Sequence, residues 1–69
     1  MHRVQRYFVK QRANENSFVI DGDDRHHIIN VMRMEIGEKI ICVGPRGDAA
    51  VCEIAKITVE QVVADVVQW

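Results

Sequence analysis

No stretch of this chain stays apolar for the ~18 residues a membrane span needs, and charged residues rather than an apolar h-region follow Met1. Neither a spanning helix nor a secretory leader is therefore expected. The glycines never take the spacing of a P-loop or a dinucleotide fingerprint. Ser17 is the one serine, and no histidine and acid are arranged with it as a triad. Cys42 and Cys52 form no C-x-x-C pair. His26 and His27 are adjacent, so on a helix their rings diverge by about 100° and chelate one ion poorly. Charge of one sign is also missing: nine Lys and Arg stand against ten Asp and Glu, a net charge of −1. That balance argues against a generic polyanion binder. With 69 residues the chain holds one domain and buries only about 60% of its unfolded surface. A complete cofactor enzyme does not fit, and no catalytic residue, cofactor site or metal site is expected within it.

What is present is an ordinary folding composition, 48% hydrophobic and 28% charged. The charge is unevenly placed. Residues 1–14 carry Arg3, Arg6, Lys10 and Arg12 and no acid, whereas Asp48, Glu53, Glu60 and Asp65 face a single Lys56 from position 48 onward. The two cysteines lie in apolar runs, as reduced core thiols of a cytosolic protein do. They are expected on neighbouring strands, where a disulfide is conceivable but not favoured in that compartment.

Residues 4–9 read as a strand with Tyr7 and Val9 on one face and Arg6, Phe8 and Lys10 on the other. The polar residues 11–16 read as a connection, and 17–20 as a second strand. Asp21-Gly22-Asp23-Asp24 is a helix-start signal, in which a short acid accepts from orphan backbone N–H groups and further acids suit the positive end of the dipole. The helix is expected over 23–33, with Ile28, Ile29, Val31 and Met32 forming the buried stripe. His26, Asn30 and Arg33 gather opposite, and Gly37 marks the end. Residues 39–43 form an apolar run, Gly44-Pro45-Arg46-Gly47 suits a type I turn, and strands follow over 49–57 and 61–69. The fold is thus mostly β with one short helix, a small barrel closed on itself. The chain ends on Val66-Val67-Gln68-Trp69, which reads either as a cut before a second domain or as a terminal strand whose Trp69 packs on the barrel.

Nucleic-acid binding is the chemistry best supported. Arg6 and Lys10 share a strand face, His26, Asn30 and Arg33 form a polar helix stripe, and Arg46 crowns a tight turn within reach of a phosphate. Tyr7 and Phe8 are expected in the core rather than as stacking platforms. His27, on the rim of the apolar stripe, is expected as a satisfied, half-buried histidine, and Asp23 and Asp24 as helix-start residues rather than an acid–base pair. A protein-interaction or buttressing barrel without direct RNA contact is the alternative.

The order and choice of residues resemble the start of the RsmE family of 16S ribosomal RNA methyltransferases, over essentially the whole chain. Gln5-Arg6-Tyr7-Phe8 is similar to the family's opening Arg-Tyr-Phe or Arg-Phe-Phe. His27-Ile28-Ile29-Asn30-Val31-Met32-Arg33 is similar to its His-Leu-x-x-Val-Leu-Arg, and Gly37 and the strand and turn from Ile40 to Gly47 follow in order. Met32 in place of leucine is a departure, and a tolerable volume swap. The resemblance implies a PUA-like β-barrel that binds ribosomal RNA or the small ribosomal subunit in the cytoplasm. It also implies, after residue 69, a knotted SPOUT domain that binds S-adenosylmethionine, methylates N3 of a uridine and forms a homodimer. Among the residues, it points to Arg6 and Arg33 as RNA contacts and to His27 as a packing residue; Lys10, Asn30 and Arg46 rest on the charge argument alone, and His26 on its place in the helix stripe.

Overall fold

A computed structural model describes residues 4–69. Its elements are β1 (Arg6–Phe8), β2 (Gln11–Asn14), β3 (Ser17–Ile20), α1 (Gly22–His26), a π-helical turn (His27–Val31), β4 (Lys39–Val43), β5 (Ala49–Ile57) and β6 (Val62–Gln68). The six strands form one sheet in the order β1-β4-β5-β6-β3-β2. β1 and β4 run parallel, and every other pair is antiparallel.

The edge strands β1 and β2 are joined only by Val9 and Lys10. A two-residue link cannot cross a flat six-stranded sheet, because strands lie about 4.8 Å apart. The sheet must therefore curl until its edges approach, which makes the barrel-like form. Bulges along β6 and β5, between Val51/Cys52 and between Ile54/Lys56, supply local bending. The Arg12 guanidinium reaches Asp48, beyond β4, at 2.8 Å and ties the curled sheet across its mouth.

Inside the curl, Phe18, Ile28, Ile40, Ile54, Val62, Cys42 and Cys52 are fully buried. Those on strands alternate with more exposed residues, as period-two patterning requires, and Ile28 enters from the helical segment. The register sets Ile40 opposite Cys52 and Cys42 opposite Ala50, so the two thiols are diagonal neighbours on the core face. Both are free, as the apolar runs implied. Burial pushes both thiols above their ordinary range.

Several expectations hold closely. β4, β5 and the turn between them fall where the apolar runs put them, with Gly47 N–H bonded to Gly44 O at 3.0 Å. Gly37 takes φ 98°, the left-handed value its position called for. Two expectations do not hold. The segment read as a connection contains β2, which pairs with β3 through Gln11–Val19 and Arg12–Phe18. β2 is exposed throughout, so no apolar alternation announces it.

The helix is also different. Only Gly22–His26 is α-helical; the chain then widens into the π turn, closed by Met32 N–H to His27 O at 2.8 Å. A wider turn rotates less per residue and shifts the phase of everything after it. Ile28 stays fully buried and Ile29 packs against the core, but Val31 and Met32 swing out to 58% and 38% exposure. Met34, after the turn, packs against the core in their place. The helix starts earlier than the expected residue 23: Asp21 is the N-cap, with Asp23 and Asp24 in the first turn, and the Asp21 side chain makes no capping bond. Gly22, at φ 59°, turns the chain into the helix instead.

Candidate nucleic-acid interface

A groove and one hydrogen bond mark how the helical segment sits against β1. At one end Phe8–Gln11 and Asp21–Asp24 line a shared groove. Further along, Tyr7 Oη lies 2.8 Å from His27 Nδ1, with the rings edge to face at 5.8 Å. The helical segment thus runs alongside β1 in the opposite sense. His27 is half-buried and satisfied by this bond, as expected. Burial, and secondarily the charge of Asp24, raises the Tyr7 phenol above its ordinary value. Arg25 holds the other flank, donating from Nε at 3.1 Å and Nη2 at 2.6 Å to the Thr58 carbonyl.

The residues singled out by sequence for nucleic-acid contact are all exposed, on β1 and its continuation, on the helical segment and on the β4–β5 turn. Arg6 and Lys10 are exposed on β1 and its continuation. His26 and Asn30 are exposed on the neighbouring helical segment, where Asn30 Nδ2 donates to His26 Nδ1 at 3.0 Å. Arg33 is exposed at the end of that segment. It sits at φ 53°, the left-handed region that side chains rarely occupy. That conformation lets Met34 N–H bond back to Ile28 O at 3.0 Å and ends the π turn. Arg46 stands apart from the helix, exposed on the β4–β5 turn at the end toward which β1 points.

The ion pairs are as informative as the cations. Among the described residues, Arg12 pairs with Asp48 and Lys39 with Glu53, at 2.8 and 3.9 Å. Arg12 also stacks over Phe18 and Trp69, at 4.9 and 5.0 Å from the ring centroids. Trp69 thereby packs on the barrel, half exposed. None of Arg6, Lys10, Arg33 and Arg46 has such a partner among the described residues. One surface residue was missed by sequence reasoning. Phe8 is not in the core: it is 73% exposed on the outer side of β1, between Arg6 and Lys10. The alternation of the strand placed it there, and only the expectation that an aromatic is buried pointed the other way.

A family model described as the RNA methyltransferase PUA domain matches residues 20–67. The chain belongs to this RNA methyltransferase PUA domain family. The PUA domain is 41% identical over 70 residues to the ribosomal RNA small subunit methyltransferase E of Bacillus subtilis, covering 96% of this chain and 27% of that protein. The chain thus spans about a quarter of the length of this relative. A crystal structure of a hypothetical protein superposes with a TM-score of 0.83 at 38% identity, over 94% of this chain and 28% of the other. The ribosomal RNA small subunit methyltransferase E of Neisseria gonorrhoeae, solved with S-adenosyl methionine, shares the fold at a TM-score of 0.73 and 15% identity, over 96% and 27% of the two chains. The resemblance read from Arg6 to Gly47 agrees with these relatives.

In dinucleotide-binding folds of the Rossmann type, clustered glycines let the backbone approach the cofactor. Here the glycines stand mostly apart, in turns. A Cβ at Gly44 would meet the molecule's own Asp48 carboxylate at 2.8 Å, and Gly22, Gly37 and Gly47 face open space. Among the described residues no group of three or more His, Cys, Asp or Glu is placed to hold a metal ion, and no helix is long and apolar enough to cross a membrane.

Proposed function

We propose that this PUA domain docks and orients small-subunit ribosomal RNA for a catalytic domain of the same polypeptide, which follows residue 69 and methylates N3 of a uridine with S-adenosylmethionine. The observation that carries the reading is the set of exposed cations Arg6, Lys10, Arg33 and Arg46, without carboxylate partners among the described residues, in a chain whose net charge is −1. Lys56 is likewise exposed and unpaired among the described residues, so the four are set apart by their places on β1, the end of the helical segment and the β4–β5 turn. Arg6, Lys10, His26, Asn30 and Arg33 line adjacent elements, so phosphate contacts along β1 set the register, and Asn30 and Arg33 offer hydrogen bonds to base edges. Arg46 reaches a more distant phosphate. Few cations means modest affinity for the domain alone. Homodimerisation belongs to the catalytic domain in this reading, and the assembled enzyme works in the cytoplasm on the ribosomal subunit or its RNA.

Filter binding of Arg6→Ala, Arg33→Ala and Arg46→Ala to a small-subunit RNA fragment across a salt series tests the proposal. Each variant should weaken binding and reduce the salt slope by roughly one. If all three bind as the unsubstituted protein does, the RNA face is elsewhere.

A further inference from the structure

The groove between β1 and the start of α1 is the feature that the docking reading leaves unused. It is an open groove of about 560 Å³ lined by residues of two unlike kinds. Phe8 and Lys10 come from the end of β1 and the link after it, and Asp21, Asp23 and Asp24 from the start of the helical segment. Phe8 is the most exposed aromatic ring of the described residues, and exposing it leaves a large apolar surface in water. The carboxylates repel phosphate, so a nucleic-acid backbone cannot lie inside the groove. They are acceptors only, so they favour a ligand edge that donates hydrogen bonds. Lys10 on the rim offers a cation to a phosphate just outside. An aromatic platform, an acceptor wall and a cationic rim together describe a flat, N–H-bearing ring attached to a phosphate.

We propose that this groove receives one unpaired nucleobase of the bound RNA, stacked on Phe8 with its donor edge toward the carboxylates of Asp21 and Asp23 and its phosphate against Lys10. This rests on the RNA-docking reading and adds to it a strand requirement and a base preference. A base held in a duplex cannot enter, since its donor edge is already paired. Guanine, cytosine and adenine carry an exocyclic amino group, whereas uracil has only its N3–H to offer, so the groove favours the first three. Arg6, two residues back on the same outer face, lies roughly 6.6 Å from Phe8 along the strand and meets the neighbouring phosphate.

The test is an NMR titration of the 69-residue chain with short single-stranded oligouridylates carrying one central guanine, cytosine, adenine or uracil, and with a duplex of the same length. The Phe8, Lys10 and Gly22 signals should move with the amino-bearing single strands, less with all-uracil, and not with the duplex. Phe8→Ala should weaken single-strand binding by roughly five- to a hundredfold, as loss of one base stack does, and Phe8→Trp should restore it. Phe8 is a surface residue, and an unchanged spectrum outside the groove verifies the fold of both variants. Asp21→Asn should flatten the preference among bases. If Phe8→Ala binds as the unsubstituted chain does while Arg6→Ala is weakened, the groove proposal is overturned and the docking reading stands. If no oligonucleotide binds and Phe8→Ala changes only self-association, the patch is a protein contact and both readings fail.

Discussion

Ile28 is the one fully buried residue of the helical segment, and its removal should separate the stability of the helix from that of the sheet. Three things hold the segment down: the Ile28 side chain, the Tyr7–His27 hydrogen bond, and the bonds from Arg25 to the Thr58 carbonyl. A neutral hydrogen bond contributes about 0.5–1.5 kcal/mol, and a charged one about 1.5–3. Truncating a buried isoleucine to alanine costs about 2–5 kcal/mol, and to valine about 0.5–1.5. A core of this size supplies about 3–5 kcal/mol in total. Ile28→Ala therefore removes as much as both polar anchors together, and most of the stability of the domain. Ile28→Val should lower the melting temperature by about 4–8 °C for each kcal/mol lost, with the fold kept. Urea titration gives the global cost. Amide exchange resolves where it falls: residues 22–34 should lose protection in Ile28→Val before β4, β5 and β6 do. A small loss for Ile28→Ala, within about 0.5 kcal/mol of the unsubstituted chain, would refute the view that this side chain anchors the helix.

Two further outcomes follow from strain and from burial. Arg33→Gly should relieve the left-handed backbone and raise stability by up to about 1 kcal/mol while weakening RNA binding, measured by thermal melts beside filter binding; a variant that is both more stable and equally tight would remove Arg33 from the interface. The Cys42 and Tyr7 values are raised in the folded state, so their contribution to stability is intact below the ordinary values of 9.0 and 10.0 and is lost as pH climbs past them. One pH unit above 9.0 the unfolded thiol has released its proton and the buried one has not, a loss on the order of 1 kcal/mol from Cys42 alone. Urea midpoints that stay level between pH 8 and pH 10 would contradict the burial of the thiols.

Legibility in the sequence followed the locality of the cause. β4, β5 and the Gly44–Gly47 turn are set by apolar runs and by turn residues a few positions apart, and they were read with their bounds. β2 was missed because Gln11–Asn14 joins the sheet through its backbone, on an edge with no buried side chain to leave a pattern. The buried stripe of the helix was half right because the reading assumed a constant 3.6-residue turn; Ile28 precedes the widening, and Val31 and Met32 follow it. The exposure of Arg6, Lys10, His26, Asn30, Arg33 and Arg46 was legible from charge and face. The contact between Tyr7 and His27, which sets the helical segment against β1, was not, because the two lie twenty positions apart. Phe8 shows the opposite error: the strand period gave its side correctly, and a general preference for burying aromatics obscured it.

The parallel pairing of β1 with β4 also orders events in time. β1 leaves a synthesising ribosome first, yet its partner β4 begins only at Lys39, and β2 and β3 emerge in between. Until residues 39–43 appear, Arg6 and Phe8 lie on a strand with no hydrogen-bonded neighbour, and the local β2–β3 hairpin is the only strand pairing available. β3 then waits longer still, for β6. Pairing of β1 with β4 and of β3 with β6 each closes a loop of tens of residues, which makes these late contacts. The exposed cations of β1 therefore reach their places in the sheet only after residues 39–43 have been made.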